Sequence, residues 1–247
     1  LVPFLMISGL VATWCGLGAL ALALTALGWR GWPDLAPGIA AAAEADATAP
    51  PAGRRIGLAL LALLIGYGLD AVGVVPHMVF LSDFVARELH RGIAAGAHVW
   101  VLFGVGAAIG PAFAGHLGDR IGFGWGLRVA FLVQGICVAL VVITADEMVI
   151  AVSSVVIGAF VPGIAPLALG RVHELLADGA GRRAAWRRAT VAFAVGQAVG
   201  AYGFSYLLEE GMRYPTLFTV AVGALALALA VDLALSAAAP RALGVRS

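Results

Sequence analysis

Seven long apolar stretches follow one another along this chain, separated by polar connections that hold almost all of its charges. About 20 apolar residues are needed to cross a hydrocarbon core roughly 30 Å thick, and runs shorter than about 14 do not suffice. The stretches at 10–29, 56–82, 95–117, 126–144, 148–170, 187–208 and 214–236 meet that length. They lack the two-residue alternation of a strand, and helices satisfy every backbone group internally, as hydrocarbon requires. The pattern predicts an all-α membrane protein with seven transmembrane helices.

Composition agrees: 62% of residues are hydrophobic, 12% are charged, and the mean hydropathy is +1.01. Charge adds orientation. The chain has no lysine, and its 15 basic residues are all arginine. Loops that stay in the cytoplasm keep positive charge. Arg30, Arg54, Arg55, Arg120, Arg128, Arg171, Arg182, Arg183, Arg187, Arg188, Arg241 and Arg246 fall on one side, and Arg87, Arg91 and Arg213 on the other. The C-terminus is therefore expected in the cytoplasm, and a chain beginning at Leu1 on the opposite side is expected to be a piece of a longer one. A net charge of +1, spread this way, gives no sign of a nucleic-acid partner. The basic loop from Arg171 to Arg188 reads as a topology determinant first and an anionic-lipid contact second. Cys15 and Cys137 lie within spans, where they pack as small hydrophobes, so neither disulfide, metal site nor cofactor is expected.

The first span is set apart by a gap from Arg30 to Arg55 that contains Pro33, Pro37, Pro50 and Pro51 and cannot bury a core. Six closely joined spans follow. A shift of 90 residues places Gly68 on Gly158, Gly73 on Gly163, Pro76 on Pro166, Gly106 on Gly196 and Gly110 on Gly200, which suggests two triplets of helices. Some such matches arise by composition in a glycine-rich chain, yet triplets interrupted by Gly and Pro are also how many secondary transporters are built. Gly106 with Gly110 and Gly196 with Gly200 are small-xxx-small pairs suited to close helix packing. Pro76, Pro111, Pro162 and Pro166 each remove a helical hydrogen bond.

Polar residues inside the spans narrow the chemistry, because an ionised carboxylate costs several kcal/mol at mid-bilayer. Asp70 lies near the middle of the second span. Tyr67, Asp70 and His77, three and seven residues apart, share one helical face, which is expected to border a polar cavity. Asp70 and His77 are the candidates for exchanging a proton; the alternative is an Asp satisfied by a neighbouring helix. Trp100, Gln134, Gln197 and Tyr202, with Tyr67, are candidates to line a substrate cavity, although interhelical hydrogen bonding explains either glutamine equally well. Trp186 and Tyr206 are assigned to the interfacial aromatic belt.

Between the third and fourth spans the chain reads Gly115, His116, Leu117, Gly118, Asp119, Arg120, Ile121, Gly122. This resembles the Gly-x-Leu-x-Asp-Arg-x-Gly signature of the major facilitator superfamily, found in the second half of those transporters at the cytoplasmic loop joining helices 8 and 9. After Gly122 the chain departs from the family's basic residues, with Phe123 and Gly124 before Arg128. Gly196 and Gln197 extend the likeness, which is greatest to the poorly characterised bacterial YbfB/YjiJ-like branch.

The resemblance implies that residues 1–30 end an N-terminal bundle as helix 6, that 31–55 form the central cytoplasmic loop, that 56–239 form the C-terminal six-helix bundle and that 240–247 are a cytoplasmic tail. It implies secondary active transport of a small solute by alternating access across a bacterial inner membrane, with proton coupling and no enzymatic activity. Gly115, Asp119, Arg120, Gly122 and Arg128 would then form a cytoplasmic gate motif. The partners implied are the solute, the lipid bilayer and the missing N-terminal half. The alternatives are a seven-helix receptor or sensor, which the absence of lysine for a retinal Schiff base opposes, and a non-transporting scaffold. A membrane-embedded enzyme lacks an HExxH, paired-Asp or Ser/His constellation within the spans.

The orientation is tested by single cysteines at positions within 34–53 and 177–185, after replacement of Cys15 and Cys137. They should stay unlabelled when a membrane-impermeant thiol reagent is added to intact cells; labelling from outside overturns both the orientation and the helix register.

Overall fold

A computed structural model describes residues 10–29 and 54–238, with side chains for 11–29 and 56–236. The prolines of the gap, residues 31–53 and the tail 240–247 lie outside the described residues. Within them are α1 (Leu10–Trp29), α2 (beginning as Arg54–Val75), α3 (Gly92–Ile121), α4 (Phe123–Ile143), α5 (Glu147–Leu175), α6 (Gly179–Glu209) and α7 (Tyr214–Ala238). Seven of the described helices are long and apolar enough to cross a membrane, and no strand occurs among the described residues. The chain divides into two units between Ala45 and Asp46, the first holding α1 and the second α2 to α7.

The helices outlast the apolar runs that announced them. The second span continues to Glu88 through two π-helical turns, Pro76–Phe80 and Phe84–Glu88, on either side of a short α-helical stretch, Leu81–Asp83. Pro76 opens the first π turn, where its missing N–H leaves the regular ladder already interrupted. Pro111, Pro162 and Pro166 are instead carried inside α3 and α5. α6 begins at Gly179, eight residues before the apolar run, so Arg182, Arg183, Arg187 and Arg188 are helical rather than part of a loop. The Asp178 side chain caps that helix by accepting from the Gly181 N–H, and arginine is a good helix former that reaches past the end of an apolar segment. Asp146 caps α5 in the same way, its Oδ1 accepting from the Val149 N–H at 3.0 Å.

Two helices organise the six-helix unit: α2 packs along α6 and α7, and α5 packs along α3 and α4. Exchanging α2 with α5, α3 with α6 and α4 with α7 maps this arrangement onto itself, which is the three-helix repeat suggested by the 90-residue shift. The glycines show it at atomic scale. A Cβ on Gly106 would overlap the Val155 carbonyl, one on Gly110 the Ala159 carbonyl, and one on Gly158 the Phe103 carbonyl, so α3 and α5 touch backbone to backbone. Gly196 meets the Gly68 carbonyl and Gly200 meets Val72 and Val75 where α6 crosses α2. Gly73 and Gly163 do not correspond: the first faces Leu225 of α7, the second Ala114 and Gly110 of α3.

Buried apolar side chains form two clusters, one toward each end of the unit. One holds Val74, Phe84, Val138, Ile157 and Phe218; the other holds Leu63, Phe131, Ile164, Leu167 and Ala228. On α2 the change from one to the other falls between Tyr67 and Val74, and on α4 between Phe131 and Cys137. Asp70 and Gln134 occupy those two intervals, at mid-height of the unit.

Candidate functional site

Asp70 sits on the face of α2 that meets α4, and it is 0% exposed. Its Oδ1 accepts a hydrogen bond from Gln134 Nε2 at 2.8 Å. Asp70 Oδ2 and Gln134 Oε1 are buried without a hydrogen-bond partner among the described residues. Among the described residues no arginine or histidine pairs with the carboxyl. Two turns further along α2, His77 is also buried, and its Nε2 lies 2.8 Å from Ser153 Oγ of α5. The Ser153 hydroxyl donates to the Cys137 carbonyl of α4 at 2.9 Å. With that proton spent, Nε2 of His77 must be the donor to Ser153 Oγ, and Nδ1 is the bare nitrogen, with no partner among the described residues. Phe218 of α7 presses against the imidazole edge-on, with ring centres 5.5 Å apart.

Asp70 and His77 are therefore two separate polar rungs between α2 and its neighbours, one closed by α4 and one by α5 and α4. The expected open polar cavity along their stripe is not what this conformation has: both side chains point into the packed interior of the unit. Burial of apolar neighbours on both sides, Tyr67 below and Val74 above, closes the face. Tyr67 itself turns toward α6, its ring 4.5 Å from Phe193 and 6.4 Å from Trp186 between centres. Trp186 is partly buried there, packed against the second apolar cluster and preceded by two turns of α6.

The remaining cavity candidates divide. Gln197 Nε2 lies 3.5 Å from the sulfur of Met78, beside His77, so it joins the same region from α6. Trp100 stacks on Phe103 at 4.9 Å and is half-exposed, and Tyr202 is 80% exposed; both are on the outer surface of the unit, apart from the buried rungs.

The Gly115 to Gly122 segment forms the last turns of α3 and its exit. Gly122 has φ +84°, a backbone state that favours glycine, and it lets the chain reverse directly into α4. Asp119 does not cap α4, since it lies within the final turn of α3 and is exposed. Glu174 of α5 supplies that contact: its Oε1 accepts from the Phe123 N–H at 2.9 Å, while its other oxygen binds Arg171 at 2.8 Å. Among the described residues neither Asp119 nor Arg120 forms an ion pair. Gly115 is likewise open, with no atom near the place of a Cβ.

Arg128, grouped with that motif from the sequence, is committed elsewhere. Its Nε lies 2.6 Å from Oδ2 of Asp232 in α7, and its guanidinium rests 4.7 Å above the centre of the Trp125 ring. Both partners of the pair are largely buried. Asp232 is a second carboxylate inside a span, legible by the same signal that marks Asp70. Ser153 offered less: a hydroxyl in an apolar run is unremarkable until its histidine is found opposite it.

The helices, the repeat and the Gly115 to Gly122 turn agree with one finding from comparison with known families. The family described as "Uncharacterised MFS-type transporter YbfB" matches residues 1–233. The chain belongs to this family of the major facilitator superfamily. It is thus a multi-pass protein of a membrane-transporter family. No curated protein matches the chain. In this transporter, Asp70, His77 and the Arg128–Asp232 pair place charge or potential charge inside the packed unit.

Removing one partner of the Arg128–Asp232 pair strands a largely buried charge. Arg128→Ala and Asp232→Ala should each lower stability by roughly 3 kcal/mol, and the double variant by clearly less than the sum. Thermal unfolding of the purified protein in mild detergent measures this; additive effects would mean that the pair is not coupled.

Proposed function

We propose that this transporter moves a small solute by alternating access, as a secondary active carrier coupled to protons, with Asp70 as the coupling carboxyl and His77 assisting it. The observation that carries the reading is a lone carboxyl at mid-height in the unit, half-satisfied by a neutral amide and paired with no base among the described residues. No opposite charge among the described residues neutralises a charge there, so gaining or losing a proton changes the energy of the α2–α4 contact directly. The π turns at Pro76–Phe80 and Phe84–Glu88 lie on the same helix as Asp70 and give it irregular, re-formable hydrogen bonding. Opening of α2 during the cycle would bring the enclosed carboxyl to water. Gln134, Gln197 and Tyr67 then surround the path, while Trp100 and Tyr202 would meet solute only from the outer face of the unit.

A structural reading competes, favoured by the complete burial of Asp70 against Gln134. Asp70→Asn separates the two in vesicles with an imposed pH gradient. The variant should lose uphill accumulation of substrate while retaining exchange, because exchange needs no net proton movement. Accumulation that survives with its pH dependence intact means that Asn satisfies the same partner, and the coupling assignment fails.

The exposed Asp119 and Arg120, unpaired among the described residues, suit a gate that closes against another part of the full transporter on the cytoplasmic side. Losing a charge-assisted hydrogen bond costs about 1.5–3 kcal/mol, so Asp119→Ala should slow transport about tenfold or more at unchanged membrane abundance. Unaltered transport would reduce the segment to a helix-turn element.

A further inference from the structure

The arginines of the described residues are not used alike. Arg87, Arg91 and Arg213, at one end of the unit, engage Asp83, Glu147 and Glu88, and Arg128 and Arg171 at the other end engage Asp232 and Glu174. Arg187 and Arg188 are exposed, and no carboxylate pairs with either among the described residues. They stand in the third turn of α6, past its N-terminus, and form the upper wall of an open groove of about 410 Å³ whose lower part is Val191, Ala192 and Val195. Ala185, Ala189, Trp186 and Phe193 turn the other side of the helix inward, so this face is held outward by packing. Val191 and Val195 are each 56% exposed along it.

We propose that this face of α6 binds an anionic phospholipid, with the phosphate at Arg187 and Arg188 and an acyl chain along Val191 and Val195. Two guanidinium groups offer a fork of donors to a phosphate, and no carboxylate among the described residues takes up that capacity. The eight helical steps from Arg187 to Val195 span about 12 Å of helix axis, the run from a headgroup into the upper acyl region. Charge above and bare apolar surface below fit an amphiphile; a soluble phosphate would use only the upper part, and a second protein chain would have to bring carboxylates to the arginines. The proposal is independent of the coupling reading for Asp70.

The test is competitive lipid retention by the full chain in mild detergent, read by native mass spectrometry with phosphatidylglycerol and phosphatidylcholine at equal concentration. The wild type should retain phosphatidylglycerol preferentially. Arg187→Gln and Arg188→Gln should each cut that preference about fivefold, the effect of roughly 1 kcal/mol per arginine near a lipid surface, and the double variant should abolish it. Arg187→Lys with Arg188→Lys should keep most of it, which separates lost charge from lost folding, and Arg87→Gln, at the other end, should leave it unchanged. Equal retention of the two lipids by the wild type, or a preference that survives the double Gln variant, overturns the proposal. So does full displacement of phosphatidylglycerol by an equal concentration of glycerol phosphate, which would mark a soluble-anion site.

Discussion

A polar group surrounded by hydrocarbon has no water to turn to, and every feature of this chain follows from where such groups find partners. The backbone solves the problem by closing its hydrogen bonds within each helix, which is why the described spans are helical from end to end. Side chains solve it across helices. Gln134 meets Asp70, Ser153 meets His77, Asp232 meets Arg128, and the Ser154 hydroxyl bonds the Val99 carbonyl at 2.7 Å. Because lipid tails are as apolar as the helices, association leans on close contact and on these few bonds. Glycine supplies the contact where α3 meets α5 and α6 meets α2, bringing carbonyls to positions that no Cβ would share.

The repeat makes α2 and α5 the two elements that each hold a pair of neighbours. Both polar rungs start on α2, and one of them ends on α5, so these buried polar groups sit on the helices whose displacement every other helix in the unit would feel. An incompletely satisfied rung is energetically exposed: Asp70 Oδ2, Gln134 Oε1 and His77 Nδ1 are buried polar atoms without partners among the described residues, and low dielectric makes such atoms costly. A transporter gains from that cost if another conformation relieves it, since the two states then lie close in energy.

The two ends of the unit differ in how charge is spent. At one end, Glu88 with Arg213 and Asp83 with the Tyr214 hydroxyl tie the end of α2 to the start of α7, and Arg91 reaches the Ala145 carbonyl beside the start of α5. Exposed pairs of this kind contribute little stability each, but together they register helix ends against one another. At the other end, Glu174 and the Arg128–Asp232 pair perform that task with fewer residues, which leaves Arg120, Arg187 and Arg188 facing outward.

Length and hydropathy alone determined the helical, membrane-spanning class, because the hydrogen-bonding demand of hydrocarbon admits no other reading of runs this long and unalternating. The Gly115 to Gly122 segment carried the superfamily, and a carboxylate in mid-span singled out Asp70, since both signals are local and need no partner to be seen. Tertiary structure decided the rest. Gln134 lies 64 residues from Asp70, Ser153 lies 76 from His77 and Asp232 lies 104 from Arg128, and nothing in the spacing of a single helix encodes which neighbour it will meet. The start of α6 is a local matter, since Asp178 caps it through the Gly181 N–H three residues on, whereas the N–H of Phe123 is met by Glu174, 51 residues away, and that contact exists only once α5 has packed beside the start of α4. Periodicity placed Asp70 and His77 on one face; only packing could say that this face turns inward.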